Sequence, residues 1–370
     1  MSEKSYDVYF LKQNPFENWA DPSAPMAGRK KEKAEWESTI NMRKGSNANA
    51  IRFVVGDYGF GKTLTLTKIC KQYESDPEIL PIYIKMLSED KVAKFGVDFI
   101  QRIFRQVPFS VLQRFKIEHI EALRAVYPEP ATIFLSIIVQ GEGAIEFLQG
   151  QKSFGSAELK KLGVKRKIDR TDIAKEYLFS FLFLLKRANI NTLLITVDET
   201  EYVFSQMRGA NIALVFNTLR DLYDLTTSPA MQPLPGDISN MIFFFAISSG
   251  GWGKLNDLGH REQTQGGPIN PLMDRFLQSP ITLQPLLGEE AKDLIEFRLH
   301  GNRTKDTKPL IPYDLGFVKF VQELALGNPR QIIKYCDFAL EDGLIEGISL
   351  LDRKFAEKVF IAHGLIPSPD

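Results

Sequence analysis

Gly56-Asp57-Tyr58-Gly59-Phe60-Gly61-Lys62-Thr63 satisfies the spacing G-x-x-x-x-G-K-[ST], and each fixed position has a chemical reason. Gly56, Gly59 and Gly61 let the backbone turn tightly with its N–H groups aimed inward, at a helix start that already favours anions. Lys62 can reach the β- and γ-phosphates of a nucleotide, and the Thr63 hydroxyl can ligate Mg²⁺. At average residue usage a chain of this length shows the pattern by chance roughly once in a hundred. Here the match also lies between an apolar run and a helical pattern, the context the chemistry requires. Candidate nucleotide contacts run from Gly56 through Asp57, Tyr58, Gly59, Phe60, Gly61, Lys62 and Thr63 to Leu64.

A phosphate loop needs an acid at the end of a neighbouring strand. The apolar run Thr192–Val197 delivers two, Asp198 and Glu199. Asp198 would share the Mg²⁺ with Thr63, and Glu199 would polarise the attacking water; Glu201 falls on the first turn of the next helix. A second apolar run, Met241–Ile247, ends in Ser248-Ser249-Gly250. A hydroxyl at the end of the strand beside the acidic one either senses the γ-phosphate or closes a turn.

The elements that must position these groups can be read in outline. Short apolar, β-branched runs predict buried strands at Ile51–Val55, Ile82–Met86, Thr192–Val197 and Met241–Ile247, with a fifth at Ile281–Leu283. Helical spacing is expected over Ala27–Lys44, Lys62–Tyr73, Ile173–Arg187 and Ile212–Tyr223. Residues 94–150 read as several helices broken by Pro108, Pro128 and Pro130, followed by a polar, basic connector over 151–172. Beyond the fifth strand only helices are expected: 288–299, 313–325, 329–342 and 351–364. This order predicts an α/β protein, a parallel five-stranded sandwich followed by an all-helical lid. The expected boundaries are 1–45 for an N-terminal arm and helix, 46–287 for the core and 288–370 for the lid. Lys62 and Asp198 are 136 residues apart (198 − 62), whereas one helix, one strand and another helix need only about 50–70. A helical module is therefore inserted at about 95–172.

With these residues in hand, the chain resembles AAA+ ATPases of the initiator clade, which includes origin-recognition and helicase-loading proteins, and related transposon target-selection ATPases. Asn14-Pro15-Phe16 and Ala27-Gly28-Arg29-Lys30-Lys31-Glu32 look like the arm and adenine-side helix of that clade. Asn270-Pro271-Leu272-Met273-Asp274-Arg275-Phe276 resembles the segment that carries an arginine finger, and Gly327-Asn328-Pro329-Arg330 resembles the second sensor. Ile281–Leu286, with Glu289, Glu290 and Arg298, is similar to the lead into the lid. The loop form, Asp198-Glu199-Thr200-Glu201-Tyr202, Leu219-Arg220-Asp221-Leu222 and Lys161-Leu162-Gly163-Val164 are similar to ATP-binding proteins of BREX-type phage defence. The resemblance implies an ATPase that uses ATP and Mg²⁺, assembles as a homo-oligomer and acts on DNA or a DNA-processing partner, in phage defence or mobile-element biology. Only 40 residues follow Arg330 (370 − 330), so a winged-helix DNA reader beyond the lid is not expected.

The arginines have a physical case as well. Phosphoryl transfer spreads charge over the γ-oxygens, so a cation delivered on assembly accelerates it. Arg275 is the first candidate, Arg261 and Arg220 weaker ones, and a surface salt bridge is the ordinary alternative. Arg330 stands at a helix start, where a cation opposes the dipole, so a phosphate partner explains it better than structure does.

The 370 residues are 44% hydrophobic and 25% charged, with 46 basic and 46 acidic side chains. That composition excludes a disordered, collagen-like or disulfide-rich chain and leaves no overall positive field for nucleic acid. Two cysteines far apart, no leader-like apolar stretch and no membrane-length run predict a cytoplasmic protein without a membrane partner. Between Lys152 and Lys175 there are eight Lys/Arg and three Asp/Glu, either a grip on phosphates or a solvated linker. The four histidines show no metal-ligand spacing, and Cys70 reads as a packing residue. Two functions stay open: a hydrolysing switch with DNA as client, or a slowly hydrolysing, nucleotide-loaded scaffold that binds a protein and no DNA.

Overall fold

The computed structural model describes residues 5–18, 26–46, 48–86, 94–139, 142–205, 210–226, 238–265 and 280–368. Its strands are β1 (Ala50–Val55), β2 (Ile79–Lys85), β3 (Thr192–Asp198), β4 (Asn240–Ile247) and β5 (Ile281–Thr282), in one sheet of order β2-β3-β4-β1-β5. The chain pairs in parallel across β2–β3, β3–β4 and β4–β1, with Ile82 opposite Ile195, Ile195 opposite Phe243 and Phe53 opposite Phe245. Every residue of β3 and β4 is buried, which is why both are unbroken apolar runs rather than alternating ones.

β2 begins three residues earlier than its sequence pattern suggests. Pro81 hides the start, because proline cannot donate to a ladder; it is tolerated here because β2 is an edge strand.

Helices α1 (Lys30–Arg43) and α2 (Lys62–Tyr73) flank β1 in sequence. Between β2 and β3 the chain forms α3 (Phe95–Gln106), α4 (Phe109–Leu112), α5 (Ile117–Arg124), α6 (Pro128–Val139), α7 (Glu142–Gln149), α8 (Ser156–Leu162) and α9 (Thr171–Arg187). This is the helical insertion that the 136-residue spacing requires. Pro128 and Pro130 start α6 rather than break it, since proline's missing N–H is no loss in a first helical turn. The expected connector holds α8, begun by a Glu158 carboxylate that accepts from Gly155 N at 2.7 Å and ended by Gly163 in the left-handed region. After β3 come α10 (Glu201–Ser205) and α11 (Ala210–Asp224), and after β4 a helix that the sequence did not signal, α12 (Ser249–Gln265). The lid contributes α13 (Glu289–His300), α14 (Leu315–Leu324), α15 (Pro329–Glu346) and α16 (Arg353–Ala362).

Contacts group the chain into two compact units. One comprises Ala34–Val55 and Leu66–Ile281, the other Met1–Lys33, Gly56–Thr65 and Thr282–Asp370. The first is built on the sheet. Its aromatic core stacks Phe53 on Phe245 at 5.7 Å between ring centroids and Phe243 on Phe245 at 5.9 Å, with Phe99 6.3 Å from Phe245. Cys70 belongs to this packing: its Sγ lies 3.1 Å from the Thr196 hydroxyl, and burial pushes the thiol up to about 11.

The second unit wraps the arm onto the lid helices. Tyr9, Leu11 and Phe16 are buried among Leu294, Phe317, Ile332 and Leu340. The Asn14 amide donates to Asp337 at 2.7 Å and to Glu341 at 2.9 Å, and the Tyr6 hydroxyl also donates to Glu341. The arm is thus fixed to one face of α15.

Candidate nucleotide site

β1 runs directly into Gly56, and the loop closes onto the first residue of α2, Lys62. Gly59 has φ +87° and Gly61 φ +91°, left-handed values that cost a side-chain-bearing residue energy and glycine almost none. A Cβ on Gly61 would meet nothing within 4 Å, so the backbone is approachable there while its conformation demands glycine. Phe60 N donates to Asp57 O at 3.2 Å, and Thr65 N to Gly61 O at 2.8 Å. The Lys62 ammonium donates to Gly56 O at 2.9 Å and to Asp57 O at 3.4 Å, on the carbonyls of its own loop. Thr63 is exposed at the first turn and Leu64 half-buried beside it.

Within the same unit the loop is held from two further segments. Arg29, itself in the left-handed region at φ +66°, donates to Phe60 O at 3.1 Å and to Gln284 O. Its charge is met by Glu32 at 2.9 Å, and the same Glu32 oxygen accepts from Gln284 N at 3.4 Å. Burial lowers the Arg29 pKa and Glu32 opposes the shift; a buried pair of this kind is costly to break because either partner alone would be an uncompensated charge. The second segment begins α15. Asn328 Nδ2 donates to Tyr58 O at 2.8 Å, and the Arg330 guanidinium lies over the Tyr58 ring, 4.6 Å from its centroid.

The acidic pair lies in the sheet unit. Asp198 is the last residue of β3 and is buried, and its carboxylate is tied at both oxygens. Oδ2 accepts from the Tyr83 hydroxyl of β2 at 2.8 Å, and Oδ1 accepts from Glu199 N at 2.9 Å. These bonds orient the carboxylate, and carboxylate oxygens are the donors a hard cation takes. Glu199 adopts φ +57°, a strained setting for glutamate of the sort that collects at functional turns. Thr200 donates its hydroxyl to Ala246 O, tying the turn after β3 to β4.

Of the two serines, Ser248 takes the turn role: its Oγ accepts from Gly251 N at 3.1 Å and caps α12, while Ser249 is the exposed first residue of that helix. Arg275 and the Arg261 side chain lie outside the described residues. Arg220 is exposed and pairs with Asp224 at 3.5 Å, the ordinary surface pair. The sequence reading missed Arg29, Asn328 and Tyr83 as anchors. Asn328 had a signal, a cap residue before a proline at the first helical position; Arg29 and Tyr83 had none.

The sheet order, the phosphate loop, the acid-tipped interior strand β3 and the helical lid define an AAA+-type α/β fold. Residues 139–305 match the family model described as BREX system ATP-binding protein BrxC/D. No curated protein matches the chain. Among solved structures, the chain is similar to the Aeropyrum pernix ORC2 protein in its ADPNP–ADP complexes: TM-score 0.54, 14% identity, 98% of this chain and 74% of that one. It is also similar to Cdc6p from Pyrobaculum aerophilum, with TM-score 0.53, 10% identity, and coverage of 98% and 73%. At such identities the likeness is one of fold. No helix of the described residues is long and apolar enough to cross a membrane.

Proposed function

We propose that the chain binds ATP with Mg²⁺ at Gly56–Leu64, hydrolyses it, and works as an assembling AAA+ switch on DNA or a DNA-processing partner. The observation that carries this reading is the phosphate loop itself, with glycines in the left-handed region and an approachable backbone at Gly61. The similar ORC2 structure was solved with ADPNP and ADP, which supports a nucleotide as ligand.

Backbone N–H groups and Lys62 would bind and orient the phosphates. Bound Mg²⁺ would neutralise phosphate charge, with Thr63 and Asp198 as the residues to hold it. Glu199 would hold the attacking water and take its proton. Arg330 would contact a phosphate of the same site, and Arg275 would reach the site of a neighbouring copy. Ser248 and Ser249 stand at the end of β4, beside β3, where a hydroxyl could also report on the γ-phosphate. The match to the BREX ATP-binding family supports a role in phage defence.

DNA as client is supported by the basic stretch before β3. Lys152, Arg166, Arg170 and Lys175 pair with nearby acids, while Lys160, Lys161, Lys165 and Lys167 are exposed and have no carboxylate partner among the described residues. Fluorescence anisotropy with duplex DNA, with and without ATP, tests this part. Binding that weakens with salt is expected; no binding at low salt would leave a scaffold for a protein partner.

A further inference from the structure

Tyr58 is 77% exposed, an unusual place for a large ring, since neither burial nor the phosphate cradle requires it. Its position in the loop is an unconstrained one; only the backbone N–H is needed for phosphate binding. What the ring does contact is the Arg330 guanidinium, 4.6 Å from its centroid. Among the described residues Arg330 has no carboxylate partner, so this face is what orders an otherwise long and mobile side chain.

The two residues are brought together by a rigid joint. Asn328 Oδ1 accepts from Arg330 N at 3.0 Å and Gln331 N at 3.3 Å, which caps α15. The same side chain donates to Tyr58 O at 2.8 Å, and Arg330 N also reaches Gly59 O at 3.3 Å. The approach is too close for any other residue at Gly59: a Cβ there would sit 2.5 Å from Asn328 Oδ1 and 3.0 Å from Arg330 Cβ. On its other side the turn is pinned by Leu286 N, which donates to Gly327 O at 2.8 Å. Leu326 and Gly327 both adopt left-handed values, φ +50° and +69°, so the turn has a fixed shape rather than a loose one.

We propose that Tyr58 and Asn328 are positioning residues for Arg330, the ring as a cationic platform and the amide as a latch from the loop to the start of α15. The inference rests on the reading that this loop takes a nucleotide triphosphate. An arginine already held beside the loop loses less freedom on meeting a phosphate than one free in solvent. Two hydrogen bonds also tie the loop's backbone to the start of α15, so a phosphate that orders the loop would bear on α15 as well.

The test is a double-mutant cycle on the full chain, read by titration with fluorescent ATP and ADP analogues, with thermal melting of every variant as a folding control. Tyr58→Leu should weaken ATP binding roughly threefold, the size of an exposed cation–π contact, and Tyr58→Phe, which keeps the ring, should bind as wild type does. In an Arg330→Ala background Tyr58→Leu should add nothing. Equal binding by the Leu and Phe variants, or an undiminished effect of Tyr58→Leu without Arg330, would overturn the inference. If wild type takes up nucleotide, Lys62→Ala abolishes it and the cycle is additive, the inference alone fails. If wild type takes up none, the reading beneath it fails too.

Discussion

A carboxylate that is to hold a cation must first be held itself, and Asp198 is held at both oxygens, by Tyr83 and by the backbone of Glu199. The next residue, Glu199, then turns through φ +57°. The proposed function gives the two acids different tasks, Asp198 for the metal and Glu199 for water. Glu199→Gln keeps the shape and removes the base, so steady-state ATP turnover should fall at least about tenfold with nucleotide affinity unchanged. Lost affinity at full turnover would assign Glu199 the wrong role. Tyr83 gives a second prediction. Burial first, then the Asp198 charge, raises its phenol above the ordinary 10.0. The fold keeps this proton after the unfolded chain has released it, so the stability it lends is complete below pH about 10 and is lost as pH rises beyond. Melting temperatures measured between about pH 8 and pH 11 should therefore fall at the alkaline end. Tyr83→Phe should show the shallower fall. At this scale the fixed positions of the phosphate loop and the acid pair were legible, because chemistry dictates their residue types. Tyr83 was not, and neither were the partners of Arg29 and Tyr58, because these depend on what the fold brings beside them.

The strands were the most legible elements. β3 and β4 are covered on both faces, and full burial writes itself as an unbroken apolar run. The edge strand β2 was harder because Pro81 interrupts its start, and α12 was invisible because Gly250, Gly251 and Gly253 crowd its first turns. α8 was masked by lysines that read as a connector. Where a cap signal exists the sequence is informative, as at Asn328-Pro329, and the cap can be weighed. Asn328→Ala should cost about 1 kcal/mol in urea denaturation. Asn328→Asp, which retains the acceptor for Arg330 N and Gln331 N but loses the donor to Tyr58 O, should cost less while still loosening the loop. An Asn328→Ala variant as stable as wild type would mean the cap contributes nothing.

For the whole molecule, spacing was the decisive clue. The 136 residues between Lys62 and Asp198 announced an insertion, and the order of strands announced a lid, but neither could say that the arm would bury Tyr9, Leu11 and Phe16 among lid residues. Long-range burial of a segment leaves no local periodicity to read. Assembly and client also belong to this scale. Replacing Lys160, Lys161, Lys165 and Lys167 with glutamate should lower duplex DNA affinity and flatten its salt dependence by up to about four charges' worth; an unchanged slope would remove this surface from any DNA contact. Arg275→Ala should slow hydrolysis at least about tenfold under conditions where light scattering shows an oligomer. Normal turnover would exclude an intersubunit arginine at that position. All of this depends on the loop that joins β1 to α2, and the most direct measurement is calorimetric titration of the folded chain with MgATP, alongside Lys62→Ala. Saturable uptake by the wild type that is lost in the variant is the expected result; no uptake by the wild type, or equal uptake by both, would contradict the account.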